Sequence, residues 1–398
     1  MDAKIDFSTY SFQELLEAKS TIDKQEYPER AQEIEELIAK HQQKQTKDQQ
    51  AEEKLIVREG HAKFHGDAKE YFSIWIVNLL LTIVTLGIYS AWAKVRNNRY
   101  MYSNTEIDGH RFSYLADPIQ ILKGRVIAIG LFAIYYFTAS SSPFAVAIMF
   151  VALFFATPFL VCQSLKFRMK VTAYRNVRFS FKGQYGRALL VFCIYPALSV
   201  FTLYLAFPWV LKKMDEFVID NTQFGDKSFC SLLSGGSYFA AGLLSVLIAI
   251  PFTFVPLFLL GAFEPETAKT AEAGTSYLVT LGTMFSYLLV YTIASSFYQA
   301  SIRNHIFGST KLVDVAKFES SLDFVNLAWI NLSNLLALIL TLGFAMPWTQ
   351  IRKMNYLCDN TKVSILEGAD SVMSSPDGDS NAIGDEVSDA FDLDIALG

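Results

Sequence analysis

Three tryptophans, Trp92, Trp209 and Trp348, open three versions of one stretch. In each, a cation stands four residues on (Arg96, Lys213, Arg352) and a ring eight on (Tyr100, Phe217, Tyr356). Asn-Thr follows at twelve and thirteen, with Asn104, Asn221 and Asn360 as the amides. A Thr-Leu pair precedes each tryptophan, as Thr85-Leu86, Thr202-Leu203 and Thr341-Leu342. Agreement at so many offsets marks an internal repeat. Positions 0, 4, 8 and 12 follow one slowly drifting face of a helix, so ring, cation, ring and amide form a stripe. Such a stripe just beyond an apolar run has the composition of a membrane–water interface, where it serves as an anchor. The same groups suit contact with anionic lipid headgroups or another anionic ligand.

Motifs for other chemistry are absent. There is no HExxH zinc pattern, no Gly-Lys phosphate loop, no nucleophile elbow and no carboxylate pair in an apolar setting. Cys162, Cys193, Cys230 and Cys358 have neither disulfide nor metal spacing and read as small buried hydrophobes. The expectation is a non-enzyme with no catalytic residue, no metal and no cofactor. Within the apolar runs Asn78 and Asn334 stand out, each fourteen residues before its repeat tryptophan. An asparagine there usually bonds to a neighbouring helix; lining a polar path is the other reading. The run interiors hold no Asp, Glu, Lys or Arg, so they lack the carboxylate of a proton-coupled carrier.

The elements that must hold these residues are themselves apolar. The 398-residue chain is 52% hydrophobic with 33 Phe, and its long runs almost without charge mark an integral membrane protein. Residues 61–362 carry 25 basic against 16 acidic side chains, a balance suited to an anionic leaflet, whereas both ends are net acidic. No cleavable signal peptide is expected. The fold expected is an all-α polytopic membrane protein with three repeats, at about 63–109, 178–226 and 311–365. Each repeat is an apolar run followed by an amphipathic interfacial helix. Two transmembrane hairpins separate the repeats, and small β-hairpin-like connections, such as the Asp108-Gly109 turn, join the parts. Residues 1–60 read as a soluble helical hairpin, with a Ser11/Glu14 capping box and a stripe of Ala31, Ile34, Leu37 and Ile38. Residues 366–398 read as an acidic disordered tail, whose ending VSDAFDLDIALG has the alternation of a docking peptide.

Two rules conflict over topology. If all seven apolar runs cross, successive repeats face opposite sides, as in inverted-repeat carriers. That places Lys212-Lys213 opposite the segment 166–187, which has seven cations and no acid, against the positive-inside rule. Alternatively, the run before each stripe dips into the membrane and returns. Gly87, Gly343, Pro208 and Pro347 favour this, because a Gly shortly before Pro-Trp ends one helix and lets another begin. The first two such runs, at roughly 23 Å, are also short for a ~30 Å core. Charge consistency favours the re-entrant version.

With TLGIYSAWAKVRNNRYMYSNTEIDG and the third-copy TLGFAMPW in view, the chain resembles the YjgN-like family of bacterial inner-membrane proteins, a domain of unknown function. The resemblance spans roughly residues 60–365. It implies a multi-pass protein of the bacterial inner membrane with cytoplasmic termini, and it brings no catalytic residues. The second copy departs most, with Tyr204 for the break glycine and Lys213 for arginine. Two functions follow as expectations. One is transport or envelope-lipid handling, with the stripes engaging anionic headgroups. The other is a membrane scaffold that recruits a cytosolic protein through its termini. Membrane lipids are the first partners expected, and nucleic acid is not one.

Overall fold

Tight turns organise this fold. Asp108 and Gly109 both take positive φ, 49° and 75°, as a two-residue turn between right-twisted strands requires. They join β3 (Thr105–Ile107) to β4 (His110–Tyr114). Arg175 and Asn176 do the same between β5 (Thr172–Tyr174) and β6 (Val177–Phe181). Two further hairpins pair β7 (Thr222–Phe224) with β8 (Lys227–Ser231) and β9 (Thr310–Leu312) with β10 (Ala316–Ser320). The computed structural model describes residues 28, 30–32, 34–39, 56–139, 143–259 and 273–372. With β1 (Ile56–His61), β2 (Lys63–Phe64) and β11 (Thr361–Leu366), these hairpins form one eleven-stranded sheet. The order is β1-β11-β10-β9-β8-β7-β6-β5-β4-β3-β2. Its two edges, β1 and β2, are separated in the chain only by Ala62, so the sheet is a nearly closed barrel.

The barrel overturns the all-α expectation. Its strands run two to six residues, too short for alternation to register as a pattern. Six of the ten pairings are also distant in sequence: Phe112 faces Tyr174, and Phe179 faces Phe224, across inserted helices. The turns were legible, but the sheet they belong to was not.

Five helical pairs leave one end of this barrel and return to it. Between β2 and β3 run α1 (Ala68–Val84) and α2 (Ser90–Ser103). Between β4 and β5 run α3 (Pro118–Ala139) and α4 (Pro143–Val171). Between β6 and β7 run α5 (Tyr185–Thr202), interrupted by a π-helical turn, and α6 (Phe207–Asp220). Between β8 and β9 run α7 (Gly235–Leu259) and α8 (Ala273–Gly308). Between β10 and β11 run α9 (Phe324–Leu340) and α10 (Met346–Asp359). The three repeats and the two hairpins are thus five uses of one strand-helix-helix-strand unit.

Length separates the pairs into two kinds. In the first and third repeats, arms of 17 and 14 residues reach roughly 25 and 21 Å. The 22, 29, 25 and 36 residues of α3, α4, α7 and α8 reach roughly 33 to 54 Å. Among the described residues four helices are long and apolar enough to cross a membrane: Pro118–Ala139, Phe144–Val171, Tyr185–Thr202 and Thr280–Gly308. Consecutive pairs pack side by side, and α1 closes the ring against α10. There Tyr71 Oη donates to Gln350 Oε1 at 2.8 Å, and the Trp75 and Phe344 rings meet edge-on.

The chain divides into two compact units, Met1–Arg58 and Glu59–Gly398. In the first, the helical residues 30–32 and 34–39 bury Ala31, Ile34 and Ile38. Ser11 and Glu14 lie outside the described residues. The second ends, as described, in a 3-10 turn at Glu367–Ser371 and Val372; the VSDAFDLDIALG segment lies outside.

Candidate functional site

The helical pairs of the three repeats are built alike at the tip, and the first and third are alike at the foot as well. At the foot, Asp67 Oδ1 caps α1 by accepting from the Lys69 and Glu70 N–H groups at 2.8 and 3.1 Å. Asp323 Oδ1 caps α9 through the Asn326 N–H at 2.8 Å. The Glu70 and Lys69 N–H bonds hold the Asp67 carboxyl below the usual carboxylate range. At the tip, two successive residues are left-handed: Leu86-Gly87 (φ 51°, 91°), Leu203-Tyr204 (51°, 63°) and Leu342-Gly343 (51°, 90°). The second of each pair donates its N–H five residues back, to Thr82, Ser199 and Leu338 carbonyls at 2.8 to 2.9 Å, which is a Schellman ending.

The repeated Thr-Leu pair is explained by this tip. Thr85 Oγ1 donates to the Leu81 carbonyl and accepts from the Tyr89 N–H, at 2.7 and 2.9 Å. Thr341 makes the same two bonds, and Thr202 differs only in donating to the Ser199 carbonyl three residues back, so one hydroxyl closes the first helix and supports the start of the second. The leucine that follows projects outward: Leu86, Leu203 and Leu342 are 93%, 85% and 89% exposed. A leucine in the left-handed region costs roughly 1–2 kcal/mol, and exposing it to water forfeits roughly 1.5–3 kcal/mol of burial. Three such leucines at three tips fit immersion in lipid.

The stripe residues divide between structure and surface. The rings at +8 are buried in the first two copies and half-buried in the third. Tyr100 Oη accepts from the Asp67 N–H at 2.9 Å and lies 3.0 Å from Glu70 Oε2, while Tyr356 Oη accepts from the Asp323 N–H at 3.0 Å. Each tyrosine thereby ties the returning arm to the foot of the outgoing one. Phe217, without a hydroxyl, packs against Phe181 and Phe192 instead. The amides at +12 are helix ends: Asn104, Asn221 and Asn360 donate from Nδ2 to the carbonyl four residues back, at 2.7 to 2.9 Å. Their own carbonyls accept from His65, Lys182 and Ser321, which fastens each helix end to the neighbouring link.

Positions 0 and +4 remain at the surface. Trp209 and Trp348 are exposed, Trp92 is half-buried against Tyr89, and Arg96 is exposed. Arg352 lies over the Trp348 ring at 5.1 Å and bonds to Ser333 Oγ at 2.5 Å and Asn334 Oδ1 at 3.3 Å. Lys213 lies over Trp209 at 5.8 Å, but Glu216 takes both Lys213 and Lys212, at 2.8 and 3.1 Å. The second copy is therefore largely neutralised from within. Asn78 and Asn334 each bridge the arms of their own pair: Asn78 Nδ2 donates to Asn97 Oδ1 at 2.8 Å, and Asn334 Nδ2 to the Thr349 carbonyl at 3.3 Å.

A charged residue missed in the sequence lies within the second stripe. Asp215 is buried on α6, and Tyr238 of α7 donates to its Oδ2 at 2.5 Å. Burial pushes its carboxyl up to about 6, although the Tyr238 bond pulls the other way. Tyr298 and His305 of α8 lie nearby, as do Lys212 and Glu216 on its own helix. Among polar neighbours in the sequence (Lys212, Lys213, Glu216), Asp215 resembled one more solvated charge; only the arrival of α7 and α8 buries it.

Outward-facing apolar helical pairs standing on a small antiparallel barrel define an integral membrane protein. The chain belongs to a family described as "Bacterial protein of unknown function (DUF898)", whose model matches residues 59–390. Inner membrane protein YjgN of Salmonella typhimurium strain LT2 is 25% identical over 347 residues, 75% of this chain and 87% of the relative. Its namesake in Escherichia coli O157:H7 is 24% identical over 345 residues, with the same coverage. The one in Escherichia coli K12 is 36% identical over 124 residues, 30% of each chain. The family resemblance carried by the tryptophan repeat is thereby borne out. No solved structure matches.

Proposed function

We propose that this protein handles envelope lipid from the cytoplasmic face of the inner membrane, without enzymatic chemistry. The barrel lies at that face, both termini are cytoplasmic, the two long pairs cross and return, and the three repeat pairs dip part-way into the bilayer. The second of these, whose first arm Tyr185–Thr202 is long enough to cross, turns back at Leu203-Tyr204 like the others. The observation that carries this reading is the set of three apolar left-handed tips, set roughly 25 Å from a barrel to which every pair returns. The cationic segment 166–187 falls at β5 and β6, beside the other helix feet, consistent with a single cytoplasmic side. Within this arrangement Arg96 and Arg352, beside Trp92 and Trp348, are the contacts for anionic headgroups. The Arg96→Ala, Arg352→Ala double variant should co-purify with less anionic phospholipid than the wild type. Unchanged lipid in a normally folded variant would reduce the stripes to anchors. An impermeant thiol reagent should reach Lys212→Cys from the cytoplasm; labelling from the periplasm would defeat the same-side arrangement.

A second reading is favoured by the separate compact unit Met1–Arg58. In it the protein is a scaffold that recruits a cytosolic partner through its termini. Removing residues 1–55 and 373–398, which spares every barrel strand, separates the two. Lipid handling survives that truncation, and a scaffold fails.

A further inference from the structure

The barrel encloses a cavity of about 480 Å³, within the range of small-molecule sites. Barrels of about eight strands are nearly filled by their own side chains, whereas eleven strands leave a wider bore. Its wall is a connected set of rings from separate hairpins: Phe112–Tyr174 and Phe179–Phe224 at 4.9 Å, Tyr174–Phe224 at 6.1 Å and Phe229–Phe318 at 5.9 Å. The end away from the helices is closed by the turn after β11, where Ala369 and Val372 join the lining. Gly368 is required there, because a Cβ would stand 2.2 Å from the Asp314 carbonyl oxygen.

The helical end is polar in a patterned way. All five strands that follow a helix begin with threonine: Thr105, Thr172, Thr222, Thr310 and Thr361. Four of the hydroxyls donate to the helix carbonyl four residues back, at 2.7 to 3.0 Å. The fifth, Thr310 Oγ1, is buried at the cavity without a hydrogen-bond partner. Arg168, in the last turn of α4, lines the cavity at the same end.

We infer that the barrel is a binding site for a single-chain amphiphile of the fatty-acid class. The acyl chain lies in the aromatic bore, and its polar end meets Thr310 at the mouth that faces the helices. An unbonded buried hydroxyl costs about 1–3 kcal/mol, so a ligand that accepts its proton gains what the other four threonines already have. The bore is walled by strands of three to six residues, roughly 10–20 Å long, so an extended chain fits it along the strands. This site is separate from the headgroup contacts at Arg96 and Arg352 and stands or falls without them.

The test uses full-length protein in phosphatidylcholine nanodiscs with palmitic acid that carries a chain diazirine. Photolysis should place adducts on β6, β7, β8 and β10, competed by unlabelled palmitate. Ala316→Phe, which fills the bore from β10, should cut those adducts by about tenfold or more while leaving adducts on α3 unchanged. Ala369→Phe, at the far end, does the same should the first variant fail to fold. Thr310→Val should weaken palmitate retention roughly two- to tenfold and leave a diazirine-bearing alkane unaffected. Absence of strand adducts, or strand adducts indifferent to both filling variants, overturns the site; equal palmitate retention by Thr310→Val overturns its polar end. Strand adducts that persist in the Arg96→Ala, Arg352→Ala variant show that the two lipid contacts are independent; their loss there overturns the separation.

Discussion

On α3 the side chains that face outward are Val126, Ile129 and Phe132, each more than 60% exposed, whereas the barrel keeps Phe181, Phe224 and Val363 buried and turns Arg178, Lys317 and Lys362 the other way. One part of the chain is thus apolar outside and the other apolar inside. Both obey the same transfer energetics, in different solvents. The two kinds of surface meet at the feet of the helices, where Asp67, Tyr100, Asp323 and Tyr356 exchange their hydrogen bonds. The polar residues at +8 and +12 serve the helix ends there, whose backbone groups need partners of their own.

The sharpest way to break the comparison is inside the barrel. Phe224→Ala should cost about 3–5 kcal/mol, read as a lowered melting temperature in detergent, because it removes a buried ring that packs against both Tyr174 and Phe179. Loss of less than 1 kcal/mol would mean the bore is loosely packed. Next come paired charges. Leu342→Lys at a tip should cost about 2.5–3.5 kcal/mol and reduce membrane yield, whereas Val313→Lys at a barrel turn should stay within about 0.5 kcal/mol. Equal effects would erase the two-solvent distinction.

Asp215 sharpens the boundary by pH. Its carboxyl is raised from 3.8 to about 6 in the folded chain, so its contribution favours the folded state below about pH 4 and is lost as pH rises through 6. Above that, ionised Asp215 costs on the order of 3 kcal/mol. Asp215→Asn should therefore raise the melting temperature at pH 8 more than at pH 5; an equal shift at both would place the carboxylate in water. The smallest effects are at the tips. Gly343→Ala should cost about 1 kcal/mol from its φ of 90° alone, since nothing lies within 4 Å of an added Cβ. Tyr204→Gly should gain up to about 1 kcal/mol by relieving the same conformation in the second copy. Opposite signs in the two variants are the check.

Much of the site was legible residue by residue, and less of its purpose. The Trp, Thr-Leu and Asn-Thr offsets reported the helical pairs, and Gly87 and Gly343 reported their tips, because these depend on contacts within a few residues. The roles of Tyr100 and Tyr356 were not legible, since each bonds to a residue 33 positions away. Nor was the equivalence of the two long hairpins to the three repeats: they share the strands at their feet, while their tips lack the Gly-Trp signature.

The chain's own order of residues determined that it is a membrane protein, that one unit recurs, and where each short pair turns back, because apolar length and left-handed breaks act locally. Only the tertiary structure decided that the connections close into a barrel, that Asp215 is buried and that a cavity exists. Those depend on pairing between two- to six-residue strands separated by whole helical pairs, and no local periodicity records which distant strand will be the neighbour.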